Sequence, residues 1–241
     1  MKNYLLTGGT SGIGECFIKS FSEDANTSIY VIARSREKFD VLQKSFPKAK
    51  IFLIESDLSD ISSIKNKLEQ LKDINIDGII HCAGIIDIQK LKKTTYDKFL
   101  RLMNINFFSF CEILRCIVGQ KKNDAPLRVI AMSSIDSFRG DPFNQMYAAS
   151  KAALDSYIRT ISIELNKYNV EINSIQACYV DTPMIDYQKQ IHAENIDDWK
   201  RSCQPLGVIS PEEIVEQIQF FLNKKGKCVT GTSVFINSGI V

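Results

Sequence analysis

Short β-type runs alternate with longer stretches of helical periodicity along the chain, and no other feature of the sequence restricts the possible folds so far. The runs fall at 4–6, 28–33, 50–54, 76–82, 127–132, 170–176 and 233–236. Between them, apolar residues recur at spacings of three and four over 12–22, 36–46, 60–72, 94–118, 144–168 and 211–223. Segments 76–83 and 127–133 place apolar residues at odd and even positions alike. A strand of that kind needs both faces covered, the condition of a parallel sheet with helices on each side. The alternation predicts one α/β domain over residues 1–241, a doubly wound sheet of seven parallel strands flanked by helices on both faces. No Pro/Gly/Ser-rich linker, low-complexity tract or internal repeat interrupts it. The departure is a long, mostly polar stretch at 185–206 holding the only tryptophan, Trp199. Loops of that length are usually lids over a site or disordered, and a substrate lid is the reading adopted.

Charge narrows the partners. With 30 Lys+Arg against 28 Asp+Glu the formal net charge is +2, so the sustained basic excess that nucleic acid or anionic lipid requires is missing. No run reaches the ~18 uninterrupted apolar residues of a membrane span, and the apolar stretch near Met1 is cut off by Thr7-Gly8-Gly9 before it could serve as a signal peptide. A cytoplasmic protein with no nucleic-acid or membrane partner is expected. The seven cysteines, Cys16, Cys82, Cys111, Cys116, Cys178, Cys203 and Cys228, include no C-x-x-C pair and read as free buried thiols. With only His81 and His192 to join them, no metal site is expected.

The turn after the first strand reads Thr7-Gly8-Gly9-Thr10-Ser11-Gly12-Ile13-Gly14. Glycines at 8, 12 and 14 permit a sharp turn with no Cβ in the way. The first N–H groups of the following helix then point outward, and with the helix dipole they hold a pyrophosphate without basic side chains. A plain strand–helix turn is the alternative. About twenty residues on, where a site built for NAD carries Asp or Glu, stand Arg34-Ser35-Arg36. A guanidinium there offers donors to a 2′-phosphate, so NADP (NADPH) is preferred over NAD, with Ser35 and Arg36 supporting Arg34. Solvated charges ahead of a surface helix would give the same letters.

Tyr147 and Lys151 lie four residues apart on the helical segment 144–168 and so share a face. A neighbouring ammonium favours phenolate, so Lys151 is expected to lower the pKa of Tyr147. Ser134 ends the fifth strand, where a doubly wound sheet opens its crevice, and its hydroxyl is placed to hold a carbonyl oxygen.

These residues together resemble the short-chain dehydrogenase/reductase family, in its short single-domain, NADP-preferring branch. The likeness covers essentially the whole chain. It rests on the glycine loop, Asp57-Leu58, His81-Cys82-Ala83-Gly84, Asn106 in Met-Asn-Ile-Asn-Phe, Ser134, and Tyr147-Ala148-Ala149-Ser150-Lys151, and continues through 180–184, 210–214 and 229–232. The resemblance implies a Rossmann fold in which Gly8, Thr10, Ser11, Gly12, Ile13, Gly14, Arg34, Ser35, Asp57, Leu58, Cys82, Ala83, Gly84, Val180 and Thr182 bind the cofactor together with Tyr147 and Lys151. Asp57 would fix the adenine and Thr182 would contact the nicotinamide amide. Asn106 would hold a water in a proton relay, Ser134 would position the carbonyl, Tyr147 would be the acid/base, and Lys151 would bind the nicotinamide ribose.

Three places depart from the family pattern: His81-Cys82 where relatives read Asn-Asn, Ala177-Cys178 where they read Pro-Gly, and Asn237-Ser238-Gly239 where they read Asp-Gly-Gly. None removes a catalytic group. The expected activity is NADP-dependent hydride transfer between the nicotinamide and a carbonyl or secondary alcohol of a small substrate. A catalytically idle NADP-binding regulator is the alternative from another class. Ser137, Phe138, Phe143 and Tyr179 are further substrate-side candidates. The apolar helices 100–118 and 152–165 suggest a homodimer or homotetramer, as the family usually forms.

Overall fold

In the computed structural model, which describes residues 1–185 and 204–240, seven strands form one parallel sheet. They are β1 (Lys2–Thr7), β2 (Thr27–Ala33), β3 (Lys50–Glu55), β4 (Gly78–His81), β5 (Leu127–Ser134), β6 (Val170–Ala177) and β7 (Ser233–Ile236), in spatial order β3-β2-β1-β4-β5-β6-β7. From β1 the chain winds outward to β3, then crosses back to lay β4 against the other side of β1. That reversal opens a crevice between the ends of β1 and β4, where α/β sheets bind ligands. The α-helices that lie wholly within the described residues are α1 (Gly12–Ser20), α2 (Arg36–Ser45), α3 (Ile61–Leu68), α4 (Tyr96–Met103), α5 (Ser109–Gln120), α6 (Gln145–Leu165) and α7 (Pro211–Asn223). The anticipated lid falls almost wholly on 186–203, outside the described residues.

Two cores explain the continuous apolar strands. Leu6, Ile80 and Ile130 face α1, α2 and α7 and pack with Phe17, Phe39, Ile214 and Phe221. Their chain neighbours Leu5, Ile79 and Val129 point the other way and pack with Ile64, Phe110, Ile113, Leu154 and Ile158 from α3, α5 and α6. The period-2 geometry of a strand sends successive side chains to opposite faces, so the middle of a central strand is apolar at odd and even positions alike. At the edge, β3 leaves Phe52 48% exposed, stacked on Tyr30 with ring centroids 5.2 Å apart.

The segment 94–118 forms as one helical run, Tyr96–Gln120, broken in register by a π turn at Asn104–Phe108. By length and composition this run could cross a membrane; here half of its most apolar window is buried inside the fold, and α5 packs on α3. The π turn is tied down by the Asn106 side chain. Asn106 Nδ2 donates to the Ile85 carbonyl and to Ser150 Oγ, each at 3.0 Å, and Oδ1 accepts from the Ile85 N–H at 2.8 Å.

Cys16, Cys82, Cys111, Cys116, Cys178 and Cys228 are free thiols; Cys16 and Cys116 are buried as expected, whereas Cys82, Cys111 and Cys178 are only partly buried and Cys228 is exposed. Among the described residues no group of three or more His, Cys, Asp or Glu is placed to hold a metal ion.

Candidate active site

Each strand from β1 to β6 ends where the wall of one cleft begins, a cavity of about 380 Å³. Gly8–Gly14 follows β1, Arg34 follows β2, Ser56–Leu58 follow β3, Cys82–Ile85 follow β4, Ser134–Asp136 end and follow β5, and Cys178–Val180 follow β6. The cleft gathers Gly8, Thr10, Ser11, Gly12, Ile13, Gly14, Arg34, Asp57, Leu58, Cys82, Ala83, Gly84, Ser134, Tyr147, Lys151, Val180 and Thr182. Of the sequence-predicted set, Ser35 and Asn106 are not on its wall.

The glycine loop meets the requirement for a phosphate cradle. Gly8 has φ +72°, and a Cβ there would lie 2.7 Å from the Ala83 nitrogen; Gly12 has φ +54° and faces Thr182 closely. Ser11 is the N-cap of α1, yet its side chain makes no capping hydrogen bond, unlike Ser35, Thr95 and Ser210 on their helices. The first N–H groups of α1 therefore face the cleft with the positive end of the helix dipole behind them. The hydroxyl of Thr7, which stands 2.9 Å from Nδ1 of the buried His81 and accepts from the Ala83 N–H at 3.1 Å, fixes the β4 wall opposite. Burial takes His81 down to about 3, so this substitute for the family's asparagine is a neutral hydrogen-bonding ring.

At the far end Arg34 Nη1 lies 4.0 Å from Asp57 Oδ2, with the two side chains 68% and 42% exposed. An exposed pair at that distance contributes about 0–1 kcal/mol, so the guanidinium is readily redirected to a phosphate. Burial pushes the Asp57 carboxyl up, but the Ser59 N–H and hydroxyl, with the charges of Arg34 and Arg101, more than offset it and hold it below its usual range. Two expected supporters of Arg34 do other work. Arg36 is bound to Glu55 at 2.9 Å, and the Ser35 hydroxyl caps α2 by accepting from the Lys38 N–H at 3.2 Å. Arg101 of α4 lines this end of the cleft instead, a position no local motif marks.

The reaction end differs from expectation in one respect. Tyr147 is 8% exposed and its phenol is held above its ordinary pKa, by burial first and by Asp136 second, while a hydrogen bond with Ser134 pulls the other way. The lowering expected from Lys151 does not prevail: the ammonium stands 5.5 Å from the centre of the Tyr147 ring and donates to the Met132 carbonyl at 2.7 Å, while burial and Asp136 keep the phenol's pKa raised. The structure thus places the phenol beside the Ser134 hydroxyl; its raised pKa makes it a weaker acid than ordinary tyrosine, though still acidic enough to protonate an alkoxide. Burial draws Lys151 itself down to about 8, opposed by Asp155 and Cys82.

Asp155, one turn beyond Lys151, is a residue the sequence reading missed. It is 2% exposed and accepts from Ser133 Oγ at 2.8 Å, Ser174 Oγ at 2.7 Å and Gln176 Nε2 at 2.6 Å. These bonds lock α6 to β5 and β6 and keep a counter-charge near the lysine. The i, i+4 spacing of Lys151 and Asp155 was the available signal.

Asn106 is not on the wall but is bonded to the segment that forms it. Its bonds hold Ile85, and a Cβ placed on Gly84 would meet Lys151 Nζ at 3.5 Å and Asn106 Oδ1 at 3.6 Å. Of the substrate-side candidates only Tyr179 lines the cleft, its hydroxyl donating to Asp141 at 3.1 Å. Ser137 accepts from Gln176, Phe138 is 61% exposed against Phe235, and Phe143 is 47% exposed with φ +68°. Cys178, where the family has glycine, is pinned to β7 by its N–H and presents a thiol pushed up to about 12 by burial. Ser238, at the family's first glycine of the closing motif, has φ +47°, a left-handed position that costs a residue with Cβ about 1 kcal/mol.

The donor set of this cleft, free helix N–H groups at one end, an arginine at the other and hydroxyls beside a lysine between them, fits a nicotinamide dinucleotide. The class it defines is a dinucleotide-binding protein with a serine–tyrosine–lysine reaction centre. A family model described as enoyl-(acyl carrier protein) reductase matches residues 8–241, and the chain belongs to the short-chain dehydrogenase/reductase family. It is 25% identical over 99% of its length to the 3-oxoacyl-[acyl-carrier-protein] reductase of Chlamydia muridarum, covering 97% of that protein. It is 24% identical over 98% of its length to the NADP-dependent (R)-specific alcohol dehydrogenase of Lentilactobacillus kefiri, covering 94% of it. Among solved structures, ElxO with NADP bound superposes with a TM-score of 0.88 at 20% identity, covering 99% of this chain and 98% of that one.

Proposed function

We propose that this protein is an NADP-dependent carbonyl reductase or alcohol dehydrogenase acting on a small substrate. The observation that carries the reading is the buried Tyr147 beside Ser134 on the same cleft as Lys151 and the glycine loop. Gly8–Gly14 would hold the pyrophosphate, Asp57 the adenosine and Lys151 the nicotinamide ribose. When bound, the reduced cofactor supplies the hydride, which no side chain can. The chain supplies the rest: Ser134 donates a hydrogen bond to the carbonyl oxygen, and Tyr147 gives that oxygen its proton as negative charge develops on it. Holding donor, acceptor and acid in one crevice removes the entropy of a three-body encounter. The idle-regulator alternative gains nothing from the relatives, whose names are those of working oxidoreductases. Consumption of NADPH with ketones, aldehydes, oxoacyl thioesters and keto sugars tests the proposal; cofactor binding without turnover on any of them would reverse it in favour of the regulator.

NADP over NAD is the cofactor preference we infer, because Arg34 is loosely held and no carboxylate follows β2 directly. Losing a charge-assisted pair to the 2′-phosphate costs about 1.5–3 kcal/mol, so Arg34→Ala is expected to weaken NADPH about ten- to a hundredfold. NADH should bind the variant and the parent alike. Isothermal titration of both cofactors checks this, and equal loss for the two would remove the argument.

A homodimer or homotetramer of cytoplasmic location, free of nucleic acid and membrane, completes the proposal. Its support is an apolar surface on α4, the π turn and α6, where Tyr96 and Ile163 are each 76% exposed and Phe108 is 40% exposed. The protein should fractionate with the cytosol and sediment at two or four times 27.3 kDa, and Phe108→Asp with Ile163→Asp should shift it toward one. Sedimentation of the unaltered protein at 27.3 kDa would rule the assembly out.

A further inference from the structure

Two residues past Ser134, on the turn Ile135–Ser137, the chain buries a carboxyl group for which the proton-transfer scheme has no use. Asp136 is 7% exposed and lies on the cleft wall. Asn144, itself 2% exposed, donates to Oδ2 at 2.5 Å and fixes the group's direction. The other oxygen accepts no hydrogen bond from any described residue, yet it is not among the sealed, unpartnered polar atoms of the interior. It therefore keeps some exposure, on a residue that lines the cleft. The cleft also presents the apolar side chains of Ile85, Ile135, Met184 and Ile185, and Cys178 and Tyr147 lie within the carboxyl's electrostatic reach. Beside the hydroxyls of Ser134 and Tyr147, this acceptor is left unpaired once a bound substrate displaces water from it, unless the substrate brings a donor, and an unpaired buried acceptor costs about 1–3 kcal/mol.

We propose that Asp136 is the specificity-determining residue of this site, selecting carbonyl substrates with a hydroxyl on the carbon next to the carbonyl and disfavouring those that carry a carboxylate there. The inference rests on the carbonyl-reductase reading above. Its physical logic is that a site built to bond a hydroxyl discriminates strongly against the analogue lacking one, because the site's own polar group is then stranded. Burial and the nearby Asp141 push the Asp136 carboxyl up to about 7, while the Asn144 hydrogen bond and Arg139 pull it down. Near neutrality the group is present in both forms. A hydroxyl, which donates and accepts, satisfies either form; an ammonium satisfies only one, and a carboxylate opposes the ionised one.

Hydroxyacetone and butanone differ by a hydroxyl in place of a methyl, and acetoacetate adds a carboxylate to the same frame. kcat/KM with NADPH for these three is to be measured on the unaltered protein, on Asp136→Ala and on Asp136→Asn. Hydroxyacetone is expected to exceed butanone at least about tenfold in the parent, and that ratio should fall about tenfold in Asp136→Ala. Asp136→Asn, which keeps an acceptor oxygen but no charge, should retain part of the hydroxyl preference while acetoacetate gains relative to butanone. A parent that does not favour hydroxyacetone, a ratio unchanged by either variant, or a uniform loss on all three compounds overturns the assignment while leaving the reductase reading in place. If the parent consumes NADPH with no carbonyl compound at all, the reductase reading itself falls and takes this inference with it.

Discussion

Tyr147→Phe is expected to lower kcat by about a hundred- to ten-thousandfold, the usual worth of a positioned general acid, while NADPH binding stays nearly intact. The expectation follows from what the substitution keeps. The ring packs against Leu102, Met146, Ile85 and Ile86, and phenylalanine fills the same space. Only the hydroxyl goes, and with it the one proton held between Ser134 and the cleft. Like any tyrosine the phenol is protonated at neutral pH; burial holds its pKa above the ordinary value, so it releases its proton only to the strongly basic oxygen that forms as hydride arrives. In the oxidising direction the same burial is a cost, because the tyrosine must then accept a proton against its environment. Steady-state kinetics together with a cofactor titration would check the split between kcat and binding; turnover that survives would mean that a different group supplies the proton.

Gly14→Ala is expected to abolish the stabilisation that NADPH confers and to lower the melting temperature of the free protein. Helix propensity alone predicts the opposite, since alanine inside a helix is favoured over glycine by about 1 kcal/mol. Sterics decide the sign. A Cβ at position 14 would fall 2.3 Å from the Gly8 carbonyl oxygen and 2.7 Å from its carbon, and neither is the flexible end of a side chain. The loop must move away from α1, and the N–H groups meant to converge on phosphate lose their common focus. A thermal-shift series with increasing NADPH reads both effects, because ligand binding to the folded state raises the midpoint in proportion to the logarithm of its concentration. A higher melting temperature with an undiminished NADPH response would show that the loop and helix are not so tightly joined.

The sheet was legible because its strands are apolar on both faces while the segments between them keep helical spacing. Each strand found at 2–7, 27–33, 50–55, 78–81, 127–134, 170–177 and 233–236 lies within a few residues of its expected place. What escaped was anything that depends on which polar group meets which. The π turn at Asn104–Phe108 leaves no mark on periodicity; only its hydrogen bonds to Ile85 and Ser150 reveal that Asn106 braces the wall. Arg34 and Arg36 look equivalent as letters, yet Glu55 on the neighbouring strand claims one and leaves the other at the cleft. The spacing of Tyr147 and Lys151 put them on one face, but the ammonium's partner is the Met132 carbonyl, contributed by β5 from another part of the chain. No local motif marks Asp136 or Asp155, and only the fold buries them, one on the cleft and one near the lysine. Local pattern fixes elements; long-range pairing fixes chemistry.

The most direct measurement of the central claim uses NADPH carrying deuterium at the transferable position of the nicotinamide ring, with hydroxyacetone as acceptor and the product examined by NMR. Deuterium at the new carbinol carbon, with the hydroxyl proton drawn from solvent through Tyr147, is the predicted result. A carbinol carbon bearing only solvent hydrogen, or a protein that binds the labelled cofactor and leaves it unchanged with every carbonyl compound offered, would contradict the account.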